Sequence, residues 1–208
     1  MKIKNVAVRR SKAEIVFENG ERITVSKVVW EKTPYVAGAE INENELKNLI
    51  EQDEIFSIKA TSLRILARRE HSKSELRSKL LQRGFSKKNI NLVIDILERE
   101  KFLDDERFTE IFVRSNMENR KKSPQAIRYE LSKKGIDNSL IDKYLTEISE
   151  DDVYRNALEL ATKKLRLLSK KKDAEKKLFA IKNHLAYRAY SNEIVNRVLT
   201  EIKERLGA

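Results

Sequence analysis

Two histidines and one acidic run are the residues whose types could do chemistry in this chain. His71 and His184 stand far apart, and neither has a second ligand at a metal-binding spacing. Both read as surface or cap residues. Asp104-Asp105-Glu106 gathers three carboxylates. Their place at the start of a helical pattern makes them capping and dipole-complementing residues before it makes them metal ligands. There is no cysteine, hence no thiol chemistry and no disulfide framework. No glycine-rich loop is present to cradle a phosphate. No catalytic residue, metal or cofactor is therefore expected, and the chain reads as non-enzymatic.

What the sequence does carry is positive charge. It has 44 Lys and Arg against 33 Asp and Glu, a net charge of +11. Residues 1–56 hold nine basic and ten acidic residues, 57–103 twelve and five, 104–148 nine and nine, and 149–208 fourteen and nine. The excess sits in the second and fourth segments. Such fields attract polyanions and speed encounter with them. The residues expected to meet nucleic acid or a partner are Arg68, Arg69, Arg77, Lys79, Lys87 and Lys88 in one patch. Lys170, Lys171, Lys172, Lys176 and Lys177 form the other. A solvated lysine-rich surface is the plain reading of either cluster alone. Two separated patches on a helical array point toward phosphate. Among the tyrosines, Tyr144 falls on a core stripe and Tyr190 on a helix-entry position, which leaves Tyr129 and Tyr187 for stacking on bases.

These residues must be positioned by helices, and the helices come from a repeated device. Ser72-Lys73-Ser74-Glu75 is a capping box, and Leu76 and Leu80 mark the buried face behind it. Arg83-Gly84-Phe85-Ser86 ends that helix and caps the next. Gly84 suits a left-handed stop, and Phe85 with Ile90 makes a hydrophobic staple. Ile90, Val93, Ile94 and Leu97 then follow at i, i+3, i+4, i+7. The same pattern returns 51 residues on, from Leu76 to Ile127. Ser123-Pro124 is the cap, with proline harmless at the first helical position. Lys134-Gly135-Ile136-Asp137 is the stop, and Ile141, Tyr144, Leu145 and Ile148 are the stripe. A third copy lies 54 residues further, with Ile181, Leu185, Arg188-Ala189-Tyr190-Ser191, Val195, Val198, Leu199 and Ile202. Alanine replaces glycine there, so this stop is expected to be weaker or differently shaped. Cap, stop, staple and stripe in register make an internal repeat.

A third helix precedes each pair. Leu63, Leu66 and Ala67 are expected on the buried face of the first, with Arg68 and Arg69 turned away from it. Asp104 opens the second, and Ser149 opens a long third that runs to about Leu168. The first 30 residues read as strands, with Asn19-Gly20 as a hairpin turn and Val28-Val29-Trp30 beginning a further extended piece. Asn42 to Glu45 caps a short helix of its own. The expected fold is mainly α, a tandem array of three three-helix repeats (57–103, 104–148, 149–208) preceded by a small β-rich N-terminal segment with a short helix (1–56). The Met1 end lacks a signal-peptide core and no run is long enough to span a bilayer. A soluble, cytoplasmic, monomeric protein with no membrane contact is expected.

At Leu103-Asp104-Asp105-Glu106-Arg107-Phe108-Thr109-Glu110 the chain resembles RecX, the family that regulates the RecA recombinase. Leu66-Ala67-Arg68-Arg69-Glu70-His71-Ser72, Glu75 to Leu80 and Leu131 to Ile136 carry the same resemblance, which is sharpest over about 60–148. It implies a curved chain of three three-helix modules in the groove of the RecA–single-stranded DNA filament. It also implies inhibition of ATP hydrolysis, strand exchange and co-protease function, with roles in DNA repair, homologous recombination and the SOS response. It carries over no active residue. Two other readings stay open on the residues alone. One is a general nucleic-acid-binding protein with helix-turn-helix-like modules, the other a structural helical-repeat adaptor.

Overall fold

A computed structural model describes residues 1–168 and 173–207, in two compact units, the chain dividing between Asp104 and Asp105. The first unit opens with strands β1 (Ile3–Arg9), β2 (Lys12–Phe17) and β3 (Arg22–Ser26), an antiparallel meander in that order. Gly20 holds a positive φ of 89°, and Asn19 accepts from the Glu21 N–H across the same turn. The alternating residues Ala13, Ile15 and Phe17 of β2 bury one face of the sheet.

Three expectations fail here. Val28-Val29-Trp30 is not extended but lies in a short helix α1 (Lys27–Trp30). An extended chain would turn Val29 and Trp30 to opposite sides, whereas one helical turn buries both and leaves Val28 exposed. The short helix expected after Asn42 does not stop either. Helix α2 runs from Glu43 to Leu66, so the expected boundary at 56 and 57 falls within it. Asn42 and Glu45 form the capping box, and no glycine or proline interrupts the following 24 residues. One end of α2 gives Leu49 to the sheet core, and the other gives Ile58 to the core of the first three-helix module. Ile55, Leu63, Ile65 and Leu66 pack against that module core while Ala67 is exposed, which corrects the expected face.

The module is completed by α3 (Lys73–Leu81) and α4 (Lys87–Arg99). Leu76, Leu80, Ile90, Val93, Ile94, Leu97 and Leu103 are buried with Ile58. The Ser72–Glu75 capping box is formed.

The second unit contains two such modules. The first consists of α5 (Asp105–Glu118), α6 (Pro124–Lys133) and α7 (Asn138–Thr146). The other consists of α8 (Glu150–Leu167), α9 (Ala174–Tyr187) and α10 (Asn192–Leu206). Val153 packs against both module cores. Among the described residues three side-chain hydrogen bonds tie the pair. Asn156 Nδ2 donates to the Met117 carbonyl at 3.0 Å, Ser123 Oγ to the Arg188 carbonyl at 2.9 Å, and Tyr190 OH to the Lys121 carbonyl at 2.7 Å. Burial pushes the Tyr190 phenol up to about 12. The stops of α6 and α9 share one geometry. Gly135 has φ 71° and Ala189 has φ 59°, and in each turn the next residue donates back to the carbonyl five positions earlier. The alanine stop is therefore the same shape as the glycine stop, against expectation.

Candidate nucleic-acid and partner interface

The first basic patch is built around the entrance to α3. The helix α2 ends at Leu66, so Arg68 and Arg69 lie in the turn that follows it rather than on a helix, both exposed. Arg69 is not a free cation. Its guanidinium reaches both oxygens of Glu75 at 3.3 Å and the Glu70 carbonyl at 2.7 Å. Glu75 is the residue that closes the capping box, so Arg69 is tied to the start of α3. Between them lies His71, which is buried rather than at the surface. Its Nδ1 donates to the Arg69 carbonyl at 2.9 Å. Burial pushes the imidazole pKa down, against the hydrogen bond to the Arg69 carbonyl, which raises it, and with the positive charges of Arg69 and Lys79.

Arg77 and Lys79 are half-buried on α3. Arg77 Nε donates to Asn91 Oδ1 on α4 at 3.2 Å. The next module repeats this contact in register, where Arg128 on α6 pairs with Asp142 on α7. The partner is neutral in one case and a carboxylate in the other. Arg77 thus keeps its charge while Arg128 is compensated. The third module has Lys182 and Asn196 at the corresponding positions.

Lys87 and Lys88 occupy the first turn of α4 and are exposed. Lys88 pairs with Glu51 at 2.5 Å. The end of α4 itself is taken by Glu54, which accepts from the Ser86 N–H at 2.6 Å, the Ser86 hydroxyl at 2.8 Å and Asn89 Nδ2 at 2.6 Å. Burial raises the Glu54 carboxyl pKa, but these donors outweigh burial and hold it below the usual carboxylate range. A phosphate cannot use that helix N-terminus while Glu54 fills it. Arg68, Arg77, Lys79 and Lys87 remain the cations of this patch that make no ion pair among the described residues.

In the third module Lys176 is exposed and pairs with Asp173 at 3.1 Å, and Lys177 is half-buried. Lys170, Lys171 and Lys172 lie outside the described residues. Tyr129 and Tyr187 are both exposed, and the Lys133 ammonium stands 4.3 Å from the Tyr129 ring centre. Tyr144 packs against its module core and Tyr190 is buried, as the repeat register requires. Sequence reasoning passed over Phe179, which is 65% exposed on α9. It also missed the Asn91, Asp142 and Asn196 series, which the repeat register could have revealed. Asp105 and Glu106 sit in the first turn of α5, where Glu106 accepts from Lys143. Among the described residues no group of three or more His, Asp or Glu is placed to hold a metal ion, and no helix is long and apolar enough to cross a membrane.

Known proteins are similar to this chain in sequence and in fold. The family model for the second three-helix domain of RecX matches residues 104–145, and that for the first three-helix domain matches 59–97. The regulatory protein RecX of Clostridioides difficile is 32% identical over 165 residues, covering 79% of this chain and 77% of its own. The chain belongs to the RecX family. The regulatory protein RecX of Clostridium beijerinckii is 26% identical over 205 residues, covering 93% of this chain and 95% of its own. The fold extends the likeness. A crystal structure of a regulatory protein RecX superposes with a TM-score of 0.71 at 20% identity, covering 95% of this chain and 98% of that one. The RecX structure from Lactobacillus salivarius gives 0.65 at 24% identity, covering 73% of this chain and 98% of that one. The RecX modules matched first in sequence are therefore α2–α4 and α5–α7, the two whose glycine stops are intact.

Proposed function

We propose that this RecX-family chain is a non-enzymatic regulator of a RecA recombinase, and that its effect is inhibition. It binds the RecA filament on single-stranded DNA as a monomer, through cations of its first and third modules. Single-stranded DNA alone is held weakly and electrostatically. The observation that carries this reading is the contrast at one repeat position. Arg77 faces Asn91 and keeps its charge, whereas Arg128 faces Asp142. A surface meant only for solubility has no need to keep the field of some modules and cancel that of another. Phosphate or acidic protein surface would be met where the field survives.

The test is the rate of RecA ATP hydrolysis on single-stranded DNA at two salt concentrations. Arg68→Gln, Arg77→Gln and Lys79→Gln together are expected to weaken inhibition at least tenfold, about 1.4 kcal/mol of lost binding. Arg114→Gln with Arg128→Gln should do less, because both arginines already face carboxylates. Circular dichroism gives the folding control. A folded triple variant that inhibits as well as the parent would remove the first module from the binding surface. Tight binding to one duplex sequence at physiological salt, with no effect on RecA, would instead favour a helix-turn-helix reader.

A further inference from the structure

The outer face of α9 carries two aromatic side chains that stand outside the core of their module among the described residues. Phe179 is 65% exposed and Tyr187 is 92% exposed. At about 100° per residue both lie within roughly 40° of the Asn183 direction, while the buried Ile181 and Leu185 point the other way. Two helical turns, about 12 Å, separate the rings along the axis. A single exposed apolar side chain is ordinary on a protein surface. Two aromatic rings in line on the solvent face of one helix are less so, and the repeat supplies an internal control. The corresponding positions are Ser74 and Gln82 in the first module and Gln125 and Lys133 in the second. The helix grammar does not require aromatics there.

The surroundings are cationic. Lys176 and Lys182 are exposed on the same helix and Lys177 is half-buried. Lys164, Lys177, Lys182 and Arg188 make no ion pair among the described residues. His184, one helical turn from Ala180 and beside Tyr187 in register, feels this field. Burial pushes its imidazole pKa down first, and the two charges that add to the effect, Arg188 and Lys164, are both positive. Most carboxylates of the module lie off α9, on α8 (Glu150, Asp151, Asp152 and Glu159) and α10 (Glu193, Glu201 and Glu204); Asp173 and Glu175 stand at the start of α9, where Asp173 pairs with Lys176.

We infer that the outer face of α9 is a stacking platform for single-stranded DNA, with unpaired bases against Phe179 and Tyr187 and phosphates against Lys182 and against Lys176, whose solvent-exposed pairing with Asp173 a phosphate can replace. Aromatic rings within a cationic surface suit this ligand because every base presents a π-face, so binding tolerates sequence. A duplex keeps its bases stacked inside and can offer only its phosphates to the same surface. The inference deepens the proposed function, which brings the protein to a single-stranded filament, and rests on it for its biological setting. The binding itself needs no recombinase.

The experiment measures fluorescence anisotropy of three labelled probes: a thymidine oligonucleotide, the same strand with abasic sites, and a duplex of equal length. The parent protein should bind the thymidine strand more tightly than the abasic strand. Phe179→Ala and Tyr187→Ala should each weaken binding to the thymidine strand by at least about fivefold. Their affinity for the abasic strand and the duplex should not change, nor should the salt slope, because no charge is removed. Tyr187→Phe should bind as the parent does, since the ring survives. Both side chains are exposed, so the alanine variants should keep their helix content. Equal binding of thymidine and abasic strands by the parent would overturn the inference. So would alanine variants that lose nothing, or that lose affinity for all three probes alike. A loss of RecA inhibition with stacking intact would strike the proposed function and leave this platform standing. The converse result would do the opposite.

Discussion

Ala189→Gly is expected to stabilise the protein, and Gly135→Ala to destabilise it. Ala189 has φ 59°, and its N–H donates to the Ala186 carbonyl at 2.9 Å while Tyr190 donates to the Leu185 carbonyl at 3.2 Å. Gly135 has φ 71° with the equivalent bonds, to Ser132 at 3.0 Å and from Ile136 to Leu131 at 3.2 Å. An L-residue in this region is strained by about 1–2 kcal/mol. Glycine removes that strain but gives the unfolded chain more freedom, a cost of about 0.4–1 kcal/mol. The methyl of Ala189 is only half-buried, so little packing is lost. The balance is a gain of about 0.5–1 kcal/mol for Ala189→Gly and a similar loss for Gly135→Ala. Gly135→Val, which is branched at Cβ, should cost more than about 1 kcal/mol. For a unit of about a hundred residues these changes move the thermal midpoint by about 2–8 °C. Thermal unfolding followed by circular dichroism reads the sign directly. A lower midpoint for Ala189→Gly would mean that the third stop is not left-handed and that the two turns differ after all.

Tyr190→Phe removes the bond to the Lys121 carbonyl and should cost about 0.5–1.5 kcal/mol in urea unfolding; an unchanged midpoint would remove that bond from the link between the second and third modules. His71 has a depressed pKa in the folded chain, so the unfolded chain binds the proton more readily. Its contribution to stability should be complete above the unfolded value of 6.5 and be lost as pH falls through that value toward the depressed one. His71→Gln should flatten this slope, and a parent whose stability is level across that window would refute the assignment. Binding of free single-stranded DNA should weaken with salt at a log–log slope of about −3 to −4, as for about five neutralised phosphates; a slope near zero would exclude a phosphate-tracking surface.

The features legible in the sequence were those fixed by neighbours in the chain. The Ser72–Glu75 box, the left-handed glycines and the Ile90 to Leu97 stripe each depend on a few consecutive residues. What escaped was set by tertiary context. Helix α2 looked like two pieces because its two ends serve different cores, Leu49 on one and Ile58 on the other, so no single apolar face runs its length. Val29 and Trp30 form a helical turn because both must bury against the same sheet. Ala189 adopts the glycine geometry because its neighbours hold it, Tyr190 through Lys121 and Arg188 through Ser123. His71 was assigned to the surface because its type favours it, but the turn that Arg69 makes with Glu75 covers it.

The candidate interface shows the same limit in electrostatic form. Counting lysines and arginines located the basic modules but could not distinguish a spent cation from a free one. Arg69 and Lys88 look like Arg68 and Lys87 in the sequence, yet Arg69 secures the capping box and Lys88 pairs with Glu51 across to α2. Ion pairs leave net charge unchanged. They decide where the remaining field emerges, and that depends on the partner residue as much as on the cation. Asn91 and Asp142 occupy one repeat position and differ in a single group. That difference changes Arg77 from a compensated residue into a source of field, at no cost to the contact between helices, because either side chain can accept the guanidinium bond. Asn91→Asp should therefore reduce affinity for a polyanion while leaving α3 and α4 packed as they are. It is a quieter change than charge reversal, because the cation, its position and its hydrogen bond all remain. If Asn91→Asp binds DNA and inhibits RecA as the parent does, the field at Arg77 is not what the partner reads.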